Sequence, residues 1–95
     1  MGLHFEWDEN KARTNLKNHA VSFVEARTVF VDPVAKIFAD EIHSINEERE
    51  IIIGHSSSNR LLLVCFTERG QFIRIISARK ATKDERNNYE KNIFN

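Results

Sequence analysis

Apolar and polar positions change their period along the chain, and these changes divide it into short elements. Residues 3–7 alternate apolar and polar side chains, which predicts a strand, and Asp8 behind it is a good helix N-cap. A helix over residues 9 to about 18 follows. Its apolar stripe is thin, essentially Ala12 and Leu16, so we expect most of this helix to face solvent.

The second helix has a clearer start. Ser22 and Glu25 have the spacing of a capping box, and Val21 with Ala26 occupies the positions of a hydrophobic staple. We expect this helix to end before Pro33, because the residue before a proline is pushed out of the helical region. A short strand over residues 34–39 and a polar loop or exposed turn over residues 40–48 come next.

Three strands then follow in quick succession, at residues 49–55, 60–67 and 71–79, and such short links join antiparallel neighbours. Residues 82–85 form a second capping box, which opens a last helix with Arg86, Tyr89 and Ile93 on one face. The order β-α-α-β-β-β-β-α predicts an α+β fold with helices packed on an antiparallel sheet. A chain of 95 residues should form a single domain over residues 1–95.

The turns between the strands predict a register. If residues 69 and 70 form a two-residue turn, Arg60 lies opposite Arg79, and an even serine loop places His55 opposite Arg60. Like charges directly opposite each other are destabilising, so such a row is better explained as an anion site than by stability. A three-residue loop with a bulge at Gly70 would shift the register by one and break the row.

The same register leaves both faces of the sheet apolar. One face would carry Ile51, Ile53, Leu62, Val64, Ile73 and Ile75, and the other Ile52, Leu61, Leu63, Cys65, Phe72 and Ile76. Either helices cover both faces or a partner protein completes one, since an exposed apolar patch of that size favours association.

The last strand carries cationic side chains that a buried strand should not hold. Arg74, Arg79 and Lys80 are expensive to desolvate alone, so they have partners or meet an anion such as a nucleic-acid backbone. The alternative is an ordinary edge strand whose arginine stems lie on apolar surface. The formal net charge is zero, yet residues 1–50 hold six Lys/Arg against ten Asp/Glu and residues 51–95 hold eight against four. A phosphate would therefore bind in the second half.

Composition and motifs exclude several classes of protein. No apolar run is long enough to span a bilayer and the N-terminus lacks a signal-peptide core, so we expect a cytoplasmic protein. Cys65, the single cysteine, lies in an apolar run and should be a small buried hydrophobe. The histidines lack metal-ligand spacing, and nucleotide-binding loops and hydrolase motifs are absent, so we expect no metal and no cofactor.

Acid–base chemistry around a phosphate remains. His43 lies in the polar loop with Glu47 and Arg49. A histidine exchanges protons near neutral pH, and arginines stabilise developing negative charge. RNA cleavage needs only these parts, namely a base for the ribose 2′-OH, cations around the phosphate and an acid for the leaving 5′-oxygen. The alternative is a solvated loop with an exposed histidine and exposed carboxylates.

Residues spread over most of the chain carry a resemblance to a known family. They are residues 5–8, Lys11, Asn15, residues 19–23, His43, Glu47, Arg49, Arg60, the block IRIISARKAT at 73–82, Glu85 and Tyr89. Together they resemble the BrnT toxin family, from residue 5 to residue 90. The chain departs from the family at Ala20 and Asn59, where glycine is common, and these positions affect a helix end and a turn.

The resemblance implies a toxin of a type II toxin–antitoxin pair, with a RelE-like fold and a metal-independent ribonuclease activity that inhibits translation. It also implies a BrnA-like antitoxin with a ribbon-helix-helix portion, whose complex with the toxin binds promoter DNA. The resemblance favours phosphate contact for Arg60 and Arg79. The predicted catalytic residues are then His43, Glu47, Arg49, Arg60 and Arg79, and the predicted RNA-binding residues are Trp7, Lys11, Arg74 and Lys80. The alternative for Trp7 is a place in the core. The alternative is a non-catalytic binding module that acts as co-repressor or scaffold in the complex.

Overall fold

The computed structural model describes residues 3–44 and 47–94, with the backbone alone for residues 92–94. The strands within these residues are β1 (His4–Glu6), β2 (Lys36–Ala39), β3 (Glu50–His55), β4 (Leu61–Arg69) and β5 (Phe72–Lys80). The helices are α1 (Glu9–His19), α2 (Phe23–Thr28) and α3 (Lys83–Phe94), with 3₁₀ turns at Val29–Val31 and Glu41–His43. The predicted order and the α+β class are confirmed. Residues 45 and 46 of the predicted loop, and the side chain of Ile93, lie outside the described residues.

The helix starts use the predicted caps. Asp8 accepts hydrogen bonds from the backbone N–H groups of Asn10 and Lys11, at 2.8 and 3.1 Å. Thr82 and Glu85 form a complete capping box, in which the Thr82 N–H donates to the Glu85 carboxylate at 2.8 Å and the Glu85 N–H donates to the Thr82 hydroxyl at 3.2 Å. None of the helices in the described part is long and apolar enough to cross a membrane.

The strands form one mixed sheet in the order β1-β5-β4-β3-β2. Antiparallel pairing joins β2, β3, β4 and β5. In contrast, β1 pairs with β5 in parallel, with Phe5 opposite Ile73. The predicted antiparallel sheet is therefore wrong at this edge. A parallel pair needs a long crossover, so no local turn signal could have revealed it.

The register of the β4–β5 hairpin differs from the predicted one. Its two-residue turn consists of Gly70 and Gln71, and Gly70 has a φ of 62°, which glycine adopts without strain. The pairing also shifts by one residue between Cys65 and Phe66, where Ile76 of β5 is the extra, unpaired residue of a bulge. Arg79 consequently lies opposite Leu63 and not opposite Arg60.

The serine loop between β3 and β4 is also one residue out of the predicted register. Asn59 adopts a left-handed conformation with a φ of 60°, and the Ser56 N–H donates to the Arg60 carbonyl at 2.9 Å. This geometry closes an odd loop, in which a left-handed third residue is common. His55 therefore lies opposite Leu61, and the predicted row of cations does not form.

Helices cover the two faces of the sheet unequally. The face under α1 and α2, called here the helix face, contributes to the main core. That core consists of Val21, Phe23, Ala26, Val29, Ile52, Leu62, Val64, Phe66, Ile75 and Ala78. On the other face, called the α3 face, Tyr89 packs with Ile53, Leu61 and Leu63.

The division of apolar residues between the faces was predicted correctly within β4 but not in β3. Ile52 lies with Leu62 and Val64 on the helix face, whereas the prediction placed Ile51 and Ile53 there. A one-residue shift moves every side chain of a strand to the other face, so the odd serine loop accounts for this error.

Candidate functional site

A pocket of about 370 Å³ opens on the α3 face, next to the cluster around Tyr89. We call it the central pocket. It is lined by His19, Asp40, Ile42, His43, Arg49, Ile51, Leu63, Cys65, Ser77, Ala78 and Arg79. It therefore brings together residues from β3, β4, β5, the end of α1 and the turn that follows β2.

The floor of the central pocket comes from three neighbouring strands. Ile51 of β3 lies opposite Cys65 of β4, which in turn lies opposite Ser77 of β5. Leu63 lies opposite Arg79 by the same pairing. Residues directly opposite each other share a face of the sheet, so the register itself carries Arg79 onto the pocket floor.

The buried side chain of Asn15 attaches α1 to the edge of β5. β1 pairs only with residues 72–74 of β5, so the later backbone of β5 needs another partner. The Asn15 amide donates to the carbonyls of Ala78 and Val21 at 2.8 and 2.9 Å and accepts from the Ala78 N–H at 3.0 Å. It thus takes the place of a neighbouring strand, and it brings His19, at the end of the same helix, to the pocket.

Asp40 and His43 form a carboxylate–imidazole pair at the edge of the pocket. The Nδ1 atom of His43 lies 2.9 and 3.1 Å from the two carboxylate oxygens of Asp40. The Asp40 side chain is 10% exposed and that of His43 is 62% exposed. A carboxylate at Nδ1 orients the ring and leaves Nε2 for proton exchange with a ligand.

Backbone contacts around Ser44 bring His43 and Arg49 close together. The Asp40 N–H donates to the Arg49 carbonyl at 2.8 Å. The Ser44 hydroxyl donates to the Asp40 carbonyl at 2.6 Å and accepts from the Arg49 N–H at 2.9 Å. The two ends of this polar segment are therefore joined, so the side chains of His43 and Arg49 reach the same pocket.

Arg49 carries a buried N–H group beside the central pocket. Its Nε atom is buried and has no hydrogen-bond partner within the described residues. The closest carboxylate is that of Glu47, whose Oε1 lies 3.7 Å from Nε. Since an unpaired buried guanidinium N–H is costly, an anion in the pocket would stabilise this side chain.

Arg79 is held by Glu85 at the start of α3. The two guanidinium nitrogens Nη1 and Nη2 donate to the two Glu85 oxygens at 2.7 and 2.8 Å, and Nη1 also donates to the Lys80 carbonyl at 3.2 Å. The Arg79 hydrogen bonds lower the pKa of Glu85 to about 2, and the carboxylate raises the pKa of Arg79. The Arg79 side chain is nevertheless 43% exposed and lines the central pocket.

Cys65 is a protonated thiol at neutral pH. Burial, followed by the charge of Asp40, raises the pKa of Cys65 to about 11, and its Sγ lies 3.7 Å from an Asp40 oxygen. A thiol of this kind is a weak nucleophile. Cys65 therefore serves as a small half-buried floor residue, as its place in the apolar run predicted.

Arg60 lies outside the central pocket, in a network on the side of α2. Its Nε donates to Glu25 at 2.9 Å, a second nitrogen contacts the same carboxylate, and one nitrogen donates to the Ala20 carbonyl at 3.0 Å. The Ser56 hydroxyl donates to Glu25 at 2.6 Å. The Arg60 hydrogen bonds lower the pKa of Glu25 and raise that of Arg60. This network joins α2 to the serine loop, so the position of Arg60 has a structural explanation.

Glu47 lines a separate, acidic depression. Its lining residues are Glu47, Glu48, Glu50, Thr67, Glu68, Arg69 and Gly70. Burial and the charges of Glu68 and Glu48 raise the pKa of Glu50 there. Glu47 thus reaches the central pocket only through its contact with Arg49.

Trp7 and Arg74 have partners of their own. The Trp7 ring packs edge-on against Phe23 with 5.9 Å between centroids, and its Nε1–H donates to Glu9 at 2.7 Å. Arg74 donates to Glu6 at 2.9 Å, on the strand paired with its own. Neither residue lines the central pocket.

Lys11 and Lys80 lie in two depressions that share lining residues with the central pocket. One is lined by Asn10, Lys11, Thr14, Asn15, Asn18, His19, Ile76 and Ser77, and the other by Lys17, Asn18, His19, Ala20, Arg79, Lys80 and Thr82. All three depressions share His19. A chain molecule longer than one phosphate could therefore contact both lysines from the central pocket.

Of the residues predicted to be catalytic, the structure brings His43, Arg49 and Arg79 into one pocket and leaves Glu47 and Arg60 outside it. Sequence reasoning missed Asp40 and His19. Asp40 and His43 are three residues apart, and this spacing would have indicated their contact if a 3₁₀ turn had been predicted there. His19 was marked only as one of the residues that carry the family resemblance, and no local pattern indicates that it joins the site through the long-range contact of Asn15 with β5. Over residues 3–44 and 47–94, no group of three or more metal-ligating side chains comes together.

Comparison with known proteins agrees with this fold. Residues 7–85 match the model of the BrnT family, described as the ribonuclease toxin of a type II toxin–antitoxin system. The chain therefore belongs to the BrnT family of ribonuclease toxins. Its structure is similar to the crystal structure of the Brucella abortus ribonuclease toxin BrnT, with a TM-score of 0.68 and 25% identity, over 86% of this chain and 100% of that chain. No curated protein matches the sequence.

Proposed function

We propose that the chain is a metal-independent endoribonuclease and that its central pocket binds the phosphate at the bond it cuts. The observation that carries this proposal is the meeting of His43, Arg49 and Arg79 in one pocket, although they come from three separate segments. The buried Nε–H of Arg49, which has no hydrogen-bond acceptor among the described residues, favours an anionic ligand. Membership of a ribonuclease toxin family supports RNA as that ligand.

The chemistry needs a base for the 2′-OH, positive charge around the phosphate and a proton for the leaving oxygen. His43, oriented by Asp40, removes the proton from the ribose 2′-OH, and the freed oxygen attacks the adjacent phosphorus. Arg49 and Arg79 stabilise the negative charge that builds up on the phosphate oxygens, so the charge stabilisation needs no metal ion. The bond to the 5′-oxygen then breaks, and that oxygen takes up a proton. The products are a 2′,3′-cyclic phosphate and a 5′-hydroxyl end.

The other predicted site residues divide according to their surroundings. Lys11 and Lys80, which line the adjoining depressions, are proposed to bind the flanking RNA. Glu47 is proposed to act as the ionic partner of Arg49 and not in proton transfer. Arg60, Trp7 and Arg74 are not proposed as site residues, because their side chains contact other parts of the chain and stabilise the fold.

A toxin of a type II system has an antitoxin partner. We propose that this partner is BrnA-like, with a ribbon-helix-helix portion through which the complex binds promoter DNA. We further propose a single RelE-like domain that acts in the cytoplasm by cleaving RNA and inhibiting translation. The support for these finer statements is the resemblance of residues 5–90 to the family.

Expression of the chain in cells that lack an antitoxin tests the proposal. We expect growth arrest, relieved by a co-expressed antitoxin and by the His43→Ala substitution. The purified protein should cut end-labelled RNA, free or on translating ribosomes, in excess EDTA and leave 2′,3′-cyclic phosphate ends. A non-catalytic binding module would be tolerated by the cells and would cut neither form of RNA, and this result would contradict the proposal.

A further inference from the structure

A second histidine lies in the central pocket. His19 is exposed at the C-terminal end of α1 and lines the central pocket together with both adjoining depressions. Its side chain has no hydrogen-bond or ion-pair partner among the residues that the structure describes. Its ring is therefore available to a ligand, and no structural contact accounts for its place there.

The fold holds His19 and His43 on different sides of the pocket floor. His19 arrives on α1, which is attached to β5 through Asn15 and Ala78. His43 arrives on the turn after β2, at the far edge of the sheet. Because β4 and β3 lie between these two strands, the imidazoles approach the pocket from opposite sides.

The surroundings of the two histidines suit different roles. His19 is the last residue of α1, and no carboxylate contacts its ring among the described residues. The end of α1 is fixed by the Ala20 N–H, which donates to the Leu16 carbonyl at 2.9 Å. The Asp40 carboxylate contacts Nδ1 of His43, which orients that ring and leaves its Nε2 to accept a proton from a ligand.

We propose that His19 is the general acid of the RNA cleavage reaction and that His43 is its general base. This inference rests on the proposed function. The 2′-OH loses its proton to His43, the bond from the 2′-oxygen to phosphorus forms, the bond from phosphorus to the 5′-oxygen breaks, and His19 gives its proton to that oxygen. One proton is gained at His43 and one is lost at His19, and exchange with water restores both.

A substrate with an altered leaving group separates this role from a structural one. In an RNA whose scissile 5′-oxygen is replaced by sulfur, the leaving thiolate needs no proton, so a general acid becomes dispensable. We expect His19→Ala to cut ordinary RNA about 100-fold more slowly than the unmodified protein. On the 5′-thio RNA the same variant should come within about 3-fold of the unmodified protein, whereas His43→Ala should stay slow on both substrates.

His4→Ala is the matched control, since His4 is an exposed histidine on β1 that lines none of these depressions. It should cut both substrates like the unmodified protein. The inference fails if His19→Ala retains full activity on ordinary RNA, or if it is equally slow on both substrates, or if the 5′-thio RNA restores His43→Ala instead. If the unmodified protein cuts neither substrate, the proposed function itself fails.

Discussion

Arg79 and Glu85 form a two-point ion pair, with 2.7 Å from Nη1 to Oε1 and 2.8 Å from Nη2 to Oε2. Glu85 also accepts from the Thr82 N–H, so the same carboxylate caps α3 and orients an arginine of the central pocket. A fork-to-fork pair of this kind fixes the plane of the guanidinium. The start of α3 therefore determines how Arg79 is presented to a phosphate.

The Arg79–Glu85 pair should make stability depend on pH in the acid range. Its hydrogen bonds lower the pKa of Glu85 from an ordinary 4.5 to about 2, so its contribution is complete above pH 4.5 and is lost as the pH falls towards 2. We expect Glu85→Gln to be less stable than the unmodified protein at pH 7 and to lose less stability on acidification. Urea unfolding at a series of pH values measures this. Glu90→Gln, on the same helix, should behave like the unmodified protein, and equal acid sensitivity of Glu85→Gln would contradict the account.

Substitution of Arg60 should affect stability and not the chemistry. Arg60→Ala leaves the Glu25 carboxylate, whose side chain is 14% exposed, without its main partner. We expect a loss of about 1–3 kcal/mol in the free energy of unfolding, measured by urea denaturation against the exposed Arg69→Ala. Below the unfolding transition, RNA cleavage should be retained. A stable Arg60→Ala protein that no longer cuts RNA would contradict this account and would indicate that Arg60 acts in the active site.

Asn15 should be among the side chains most sensitive to a nearly isosteric change. Asn15→Asp can still accept from the Ala78 N–H but cannot donate to the carbonyls of Ala78 and Val21. We expect it to lose about 3 kcal/mol or more of unfolding free energy, because a buried charge and unpaired carbonyls result. Thermal or urea unfolding measures this, with the exposed Asn88→Asp as the control. Equal stability of both variants would show that α1 is held by other contacts.

Cys65 should react slowly with alkylating reagents. Its pKa of about 11, against an ordinary 9.0, makes the thiolate fraction about 100-fold smaller at neutral pH. Mass spectrometry of iodoacetamide labelling at pH 8, with free glutathione as the reference thiol, measures the rate. Asp40→Asn should speed the reaction by removing a neighbouring negative charge. Labelling of Cys65 as fast as glutathione would contradict the described environment.

The elements could be predicted because their signals are local. Asp8, the capping box at Thr82 and Glu85, and the apolar runs of β3 to β5 each act within a few residues, and all are found where expected. The register could not be predicted, since it depends on one left-handed residue, Asn59, and on a bulge at Ile76 of β5. A slip of one residue reverses the face of a whole strand, so a small local error removed the predicted row of cations.

The candidate site was predictable only in part for a related reason. His43 and Arg79 were identified from residue type and from the family resemblance, and both line the pocket. Arg60 seemed equally suited by type, but its partner Glu25 lies 35 residues away in sequence, and no local pattern indicates that pair. His19 depends in the same way on the contact between Asn15 and Ala78.

RNA cleavage by Arg79→Ala and Arg74→Ala tests the central claim most directly. Both arginines lie on β5 and each is paired with a carboxylate. Of these two, Arg79 lines the central pocket and Arg74 does not. With end-labelled RNA in excess EDTA, we expect Arg79→Ala to lose about 100-fold or more in cleavage rate and Arg74→Ala to stay within about 3-fold of the unmodified protein. Equal rates for the two variants would contradict the assignment of the central pocket as the ribonuclease site.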